Sequence, residues 1–435
     1  MRTAIEHNRE RGDRPAAARA TAAAGRVMLT ARRTDAALEL LELASAEFAD
    51  LAPSPDAVAI DGQLARAYQF LQQYRRALEL SDRTLEAAEH ADLIPIIADT
   101  LVTKSSALAA MGRAREAMGV IRAGEQLARE YGLSATLLRA LNNRSVAEDT
   151  SDPRSGLEAA REGLALARRI GDRGWVAGLQ VGVGYSSFLL GDWDAAVEHL
   201  SDGLADEPEL SYHIQLLANL INIQAWRGED ITDAVAELEV LGKATDDPVL
   251  EGTLIDTRAY VAMATGRIAE AADEFRNEAR HVTSAQVLTL YLAARPTLWA
   301  GDREAAAADL AELDATGIHG SVVECRRDTV RAGLLGLDGR TVEALALYRD
   351  VLDRWGSLGL VTDGALTAID MATLIGPDQP DVVRAAAEAR DFFRRVRAKP
   401  FLDRLDAAMS ATPVAPARGS ALEADVRTKA GTRPA

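Results

Sequence analysis

Along most of this chain apolar residues recur at intervals of three and four, the spacing that places them on one face of a helix, and the runs are broken by glycine, proline or aspartate. Residues 181–205, VGVGYSSFLLGDWDAAVEHLSDGLA, show the unit plainly. Two short amphipathic helices flank Gly191-Asp192, where glycine supplies the positive φ that ends one helix and aspartate accepts amide hydrogen bonds at the start of the next. Gly184 and Ala196 are small where the two backbones would touch, while Tyr185, Phe188, Leu189, Val197 and Leu200 supply bulk around that contact. The stretch predicts a helical hairpin.

The same unit returns along the chain. The small residue of its second helix falls at Ala37, Ala77, Ala117, Gly156, Ala196, Ala234, Ala271, Ala306 and Ala344, at spacings of 40, 40, 39, 40, 38, 37, 35 and 38. A period held that closely predicts stacked hairpins in one elongated domain, although 435 residues would otherwise suggest two or three globular ones. The expected division is a polar amino-terminal segment (1–14), the solenoid (15–375), capping helices (376–410) and a disordered tail (411–435) whose apolar content is too low to fold. Irregularities fall at the linker Pro53-Ser54-Pro55-Asp56, at Ser151-Asp152-Pro153 in place of a turn glycine, and after Gly228, where one residue is added. Pro296 is expected to interrupt and kink the first helix of the eighth copy.

Leu64, Ala65, Tyr68, Tyr74 and Ala77 follow the large, small, aromatic, aromatic, small order of the tetratricopeptide repeat (TPR), and the chain resembles that family from about residue 16 to residue 355. The resemblance implies an all-α, right-handed superhelix of about nine hairpins plus carboxy-terminal helices, acting by binding rather than catalysis. The periods mostly exceed the 34 residues usual for the family, so the helices should be longer by about a turn. In that respect, and in the arrangement of residues 382–409, the chain resembles the carboxy-terminal arms of bacterial signal-transduction ATPases, nucleotide-cyclase fusions and transcription regulators. This second resemblance implies a regulatory scaffold or sensor; the alternative is a detached arm of a larger ATPase, adenylate or guanylate cyclase, or LuxR-type DNA-binding regulator.

Charge narrows the partners. A net charge of −17 disfavours direct nucleic-acid binding. Residues 201–250, with two basic and eleven acidic side chains, form either a solvated face or a docking patch for a basic partner. The single cysteine, Cys325, excludes an internal disulfide, and no apolar run approaches the roughly 18 residues needed to cross a bilayer, so a cytoplasmic location without membrane contact is expected. Gly242-Lys243-Ala244-Thr245 lacks the glycine and hydroxyl of a phosphate loop, Gly182-Val183-Gly184 has no strand before it, and the six histidines lack ligand spacing. No catalytic residue, cofactor or metal site is expected.

What remains is a surface. In a stack of hairpins the first helix of each unit lines the concave face. Counting from the marker residues places Arg66, Asn142, Ser145, Tyr185, Asn219, Asn222, Asp256, Tyr260, Tyr291 and Arg295 in a groove that would take a protein or peptide. Asparagine offers a donor and an acceptor to a peptide backbone, and tyrosine adds apolar area with a polar tip. The competing reading is that Asn142 and Asn219 cap or bridge neighbouring helices and the tyrosines fill gaps between repeats. Only four lysines occur, Lys104, Lys243, Lys399 and Lys429, which argues against a lysine clamp for acidic carboxy-terminal peptides.

Overall fold

The computed structural model describes residues 2–411 apart from 149, 245 and 246, so the disorder expected after Ser410 falls almost wholly outside the described residues. Twenty-two α-helices and no strand are present among them. Within the polar amino-terminal segment α1 (Arg2–Glu10) packs on the next helix and buries Ile5. Ten hairpins follow. They pair α2 (Arg14–Thr30) with α3 (Thr34–Glu47), α4 (Pro55–Phe70) with α5 (Tyr74–His90), α6 (Ile94–Ala110) with α7 (Ala114–Glu130), α8 (Ser134–Glu148) with α9 (Pro153–Ile170), and α10 (Arg173–Leu189) with α11 (Trp193–Ala205). The series continues with α12 (Leu210–Arg227) and α13 (Thr232–Gly242), α14 (Pro248–Ala264) and α15 (Ile268–His281), α16 (Gln286–Trp299) and α17 (Arg303–Ala315), and α18 (Ser321–Leu337) and α19 (Thr341–Leu358). The tenth hairpin, α20 (Val361–Leu374) with α21 (Pro380–Val396), extends the nine expected, and α22 (Lys399–Ser410) is the last helix among the described residues.

Local chemistry sets the boundaries. Aspartate side chains cap α2, α9, α10, α11, α14 and α17, each accepting an amide hydrogen of the first turn, as Asp192 does from Ala195 at 3.3 Å. Gly191 has the expected left-handed φ of 79°. Five turns among the described residues reach that conformation without glycine, at Arg32, Gln72, Asp92, Glu207 and Arg397, despite a cost of roughly 1–2 kcal/mol for an L-residue. Pro296 does not interrupt α16, in contrast to expectation; it lies in the last turn, where its missing N–H removes one bond, and the irregularity is a 3-10 turn at Thr283–Ala285 before the helix.

Eight of the nine marker residues are fully buried at the fourth position of their helix, Gly156 among them; Ala234, displaced by the inserted residue, stands third and is half-buried. The close contact foreseen at Gly184 is made with Leu200 rather than Ala196: a Cβ on Gly184 would lie 2.6 Å from Leu200 Cγ. The same knob recurs where Leu41 sits over Gly25. Because Leu200 is enclosed and cannot retreat, Gly184→Ala should destabilise the chain by about 1–3 kcal/mol, the usual cost of overpacking. An unchanged chemical-denaturation midpoint would show that the two helices separate freely there.

Successive turns of the superhelix touch along a seam. The turn between the helices of one hairpin meets a loop between hairpins roughly five units later in the stack. Arg32 lies 4.0 Å from Asp247, and Gln72 donates to the His281 carbonyl at 3.4 Å and accepts from the Thr283 amide at 3.3 Å. Val322 N–H donates to the Thr150 carbonyl at 3.2 Å, Thr362 Oγ1 to Phe188 at 3.4 Å, and Arg227 Nε to Val396 at 3.1 Å. The side chains of Arg32 and Gln72 thus have a use that glycine could not supply. At Gly191 the reverse holds: a Cβ would come 2.3 Å from Val361 Cγ2 and 2.9 Å from Phe392.

Candidate functional site

The concave face lines a central cavity of about 1350 Å³. The first helices of the first six hairpins form most of its wall, which is completed by residues of α14, α15, α16 and α18. Of the ten residues placed in the groove from sequence, Arg66, Asn142, Tyr185, Asn219 and Asp256 line this cavity. Asn142 Nδ2 donates to Asn143 Oδ1 at 3.3 Å, and Asn219 Nδ2 donates to the Gln215 carbonyl one turn back at 2.8 Å.

Five others are interior. Ser145 and Asn222 are buried behind the wall, and Asn222 Nδ2 donates to Asp256 Oδ2 at 3.3 Å. Tyr260, Tyr291 and Arg295 belong to the core. The Tyr260 ring stacks on Trp226 with centroids 5.0 Å apart and meets Phe275 edge-on at 5.6 Å. Tyr291 packs against Trp355 and receives a hydrogen bond from Arg295, whose guanidinium lies 3.6 Å from Asp370 Oδ2. The physical reason is α20, which packs on α10, α16 and α18 and covers the face that an open stack would leave exposed. Tyr260 and Tyr291 are thus buried in the interior and do not line the cavity.

Sequence reasoning missed Tyr212, Arg139, Glu278 and Arg326, all in the cavity wall. Tyr212 lies on a first helix and lacked only a marker; its ring rests on Gly178, where a Cβ would be 2.9 Å away, and burial raises its phenol above the ordinary range. Arg139 bridges to Asp99 at 3.0 Å and to Thr103 at 3.0 Å. Glu278 was outside the search because it sits on a second helix.

The cavity's charges are unevenly paired. Arg66 and Arg326 have no ion pair among the described residues; Arg66 lies over the Phe70 ring at 5.3 Å and Arg326 over Tyr291 at 5.6 Å. Burial, then repulsion from Arg139, pulls the Arg66 guanidinium down to about 9. On the opposite side of the balance, Asp256 and Glu278 are within hydrogen-bonding reach of one another and both are raised, first by burial. Water-facing polar groups that lack internal partners are what a ligand would satisfy. Cys325 is buried, and burial pushes its thiol far up, which leaves it unreactive.

The fold is an all-α, tetratricopeptide-like helical solenoid. No protein-family model matches the sequence, and no curated protein matches it. Among solved structures it is similar to the Rap protein complexed with Competence and Sporulation Factor, at 13% identity and a TM-score of 0.51, over 69% of this chain and 98% of that one. It also aligns with yeast Tom70 at 13% identity and a TM-score of 0.35, over 90% of this chain and 88% of that one, and with the TPR domain of P58(IPK) at 13% and 0.21, over 90% and 98%. No helix among the described residues is long and apolar enough to cross a membrane.

Proposed function

We propose that this chain is a non-catalytic, peptide- or protein-binding scaffold that senses its ligand in the central cavity and regulates a bacterial signalling or transcription system. The observation that carries this reading is the cavity itself. Its volume exceeds the 300–1,000 Å³ typical of small-molecule pockets, and its wall combines apolar area with amides and with charged groups that lack internal partners. Asn142 and Asn219 spend one amide hydrogen each on local bonds and keep their carbonyl oxygens for a ligand backbone. The Rap protein of similar fold was crystallised with Competence and Sporulation Factor, so a stack of this kind can hold a bound factor.

Native mass spectrometry of the full chain with pools of synthetic pentapeptides tests the reading. A bound peptide is expected, with occupancy at least tenfold lower in an Asn142→Ala, Tyr185→Ala, Asn219→Ala variant that melts like the wild type. Absence of bound peptide, or equal occupancy in the variant, would remove the cavity as the binding site.

A further inference from the structure

Two carboxyls in one part of the cavity wall, and an amide buried directly behind them, have unmet hydrogen-bond capacity. Asp256 on α14 and Glu278 on α15 reach each other across the seventh hairpin, and both face the cavity. Asn222, 5% exposed on α12, ties its Nδ2 to Asp256 and leaves Oδ1 buried without a partner. Glu278, 7% exposed, likewise has an unpartnered Oε2. Neither carboxyl has an arginine, lysine or histidine within ion-pair distance among the described residues, although the chain pairs most of its other half-buried carboxylates with arginine.

We infer that Asp256, Glu278 and Asn222 form a subsite for a cationic nitrogen group of the cavity's ligand, supplied by an arginine or lysine side chain or by an amino terminus. The inference rests on the reading of the cavity as a peptide site. A guanidinium or ammonium carries several N–H donors and one positive charge, which is what this acceptor cluster lacks. Two carboxyls this close, out of water and with no cation, hold a proton between them when the subsite is empty. An incoming cation and that proton compete for the same oxygens, and the displaced proton leaves to solvent. Among the described residues the pair is acted on by its own two carboxyls and the Asn222 amide; the phenol of Tyr260 on α14 lies next to both carboxyls, and Tyr185 on α10 and Asp363 on α20 act on that phenol in turn. Tyr185 and Asp256 were visible from sequence as wall residues, but the carboxyl pair was not.

Four fluorescent pentapeptide pools, amidated at the carboxy terminus and bound to the full chain, test this. Two are acetylated with central arginine or lysine, one is acetylated with neutral citrulline in their place, and one has a free amino terminus and no basic residue. At least one cationic pool is expected to bind at least tenfold more tightly than the citrulline pool, and which one identifies the source of the nitrogen. For an acetylated arginine or lysine pool the affinity should rise severalfold between pH 6 and pH 8, and Asp256→Asn or Glu278→Gln should abolish both the preference and the pH dependence. If all pools bind alike and neither variant alters them, the subsite is overturned while the peptide cavity stands. If no pool binds, the cavity reading and the subsite fall together. Should either variant fail to fold, the comparison of wild-type pools decides alone.

Discussion

Arg295→Leu is expected to lower stability by about 3–5 kcal/mol at pH 8, the usual result of leaving one member of a buried ion pair behind. Arg295 and Asp370 are each 1% exposed at the side chain and 3.6 Å apart. Without the guanidinium, Asp370 keeps only the Trp299 indole, which donates to Oδ1 at 2.7 Å. Burial already raises the Asp370 carboxyl to about 6 in the wild type, above an ordinary value near 3.9. The folded state therefore holds this proton more tightly than the unfolded chain does. The group's contribution to stability is complete below about pH 4 and is lost as pH rises through about 6. In the variant the carboxyl should rise further, so that at pH 5 it is neutral when folded and the deficit shrinks. Urea unfolding of both proteins at pH 5 and pH 8 checks this. An equal deficit at the two pH values would assign the loss to packing. An additional Asp370→Asn change, which keeps an acceptor for Trp299, should recover much of the loss at pH 8.

Trp226→Ala should cost a comparable amount, about 3–5 kcal/mol for removing a buried tryptophan, but with a different spatial signature. Trp226 is 2% exposed on α12 and meets Phe188 at 5.4 Å, Tyr260 at 5.0 Å and Phe401 at 4.6 Å between ring centroids. The last ring belongs to α22, so one side chain joins the sixth hairpin to the last described helix. Hydrogen exchange should accelerate at the amides of 399–410 beyond the change in global stability. Unaltered protection of α22 would mean that Arg227 and the contact between Arg397 and Asp194 hold the seam without the ring.

The repeating part of this architecture was legible because it is local. A small residue at the fourth position of eight of the ten second helices, and a capping aspartate before six of the helices, act within one hairpin and leave a fixed spacing in the sequence. What escaped was the sum of small rotations between neighbours. No residue near Gln72 announces that it will meet Thr283, and nothing around Tyr291 or Arg295 signals that α20 will cover them. The candidate site suffered accordingly. Arg66, Asn142, Tyr185, Asn219 and Asp256, counted on α4, α8, α10, α12 and α14, reached the cavity, whereas Tyr291 and Arg295 on α16 did not, because α20 packs over that helix. Glu278 was invisible for a related reason: it reaches the cavity from a second helix, which an open solenoid would place outside.

The seam also bears on how the chain is made. An ordinary open solenoid is additive, each repeat depending on the two beside it, and it can be lengthened or shortened one unit at a time. Here hydrogen bonds join residues 169 to 211 positions apart. The early hairpins leave the ribosome well before their seam partners exist, and folding in order of synthesis first yields an open coil. The central cavity is thus a property of the stack once its later hairpins are in place, and removing α20–α22 would uncover residues of α10, α12 and α16 in the middle of the stack as well as at its end.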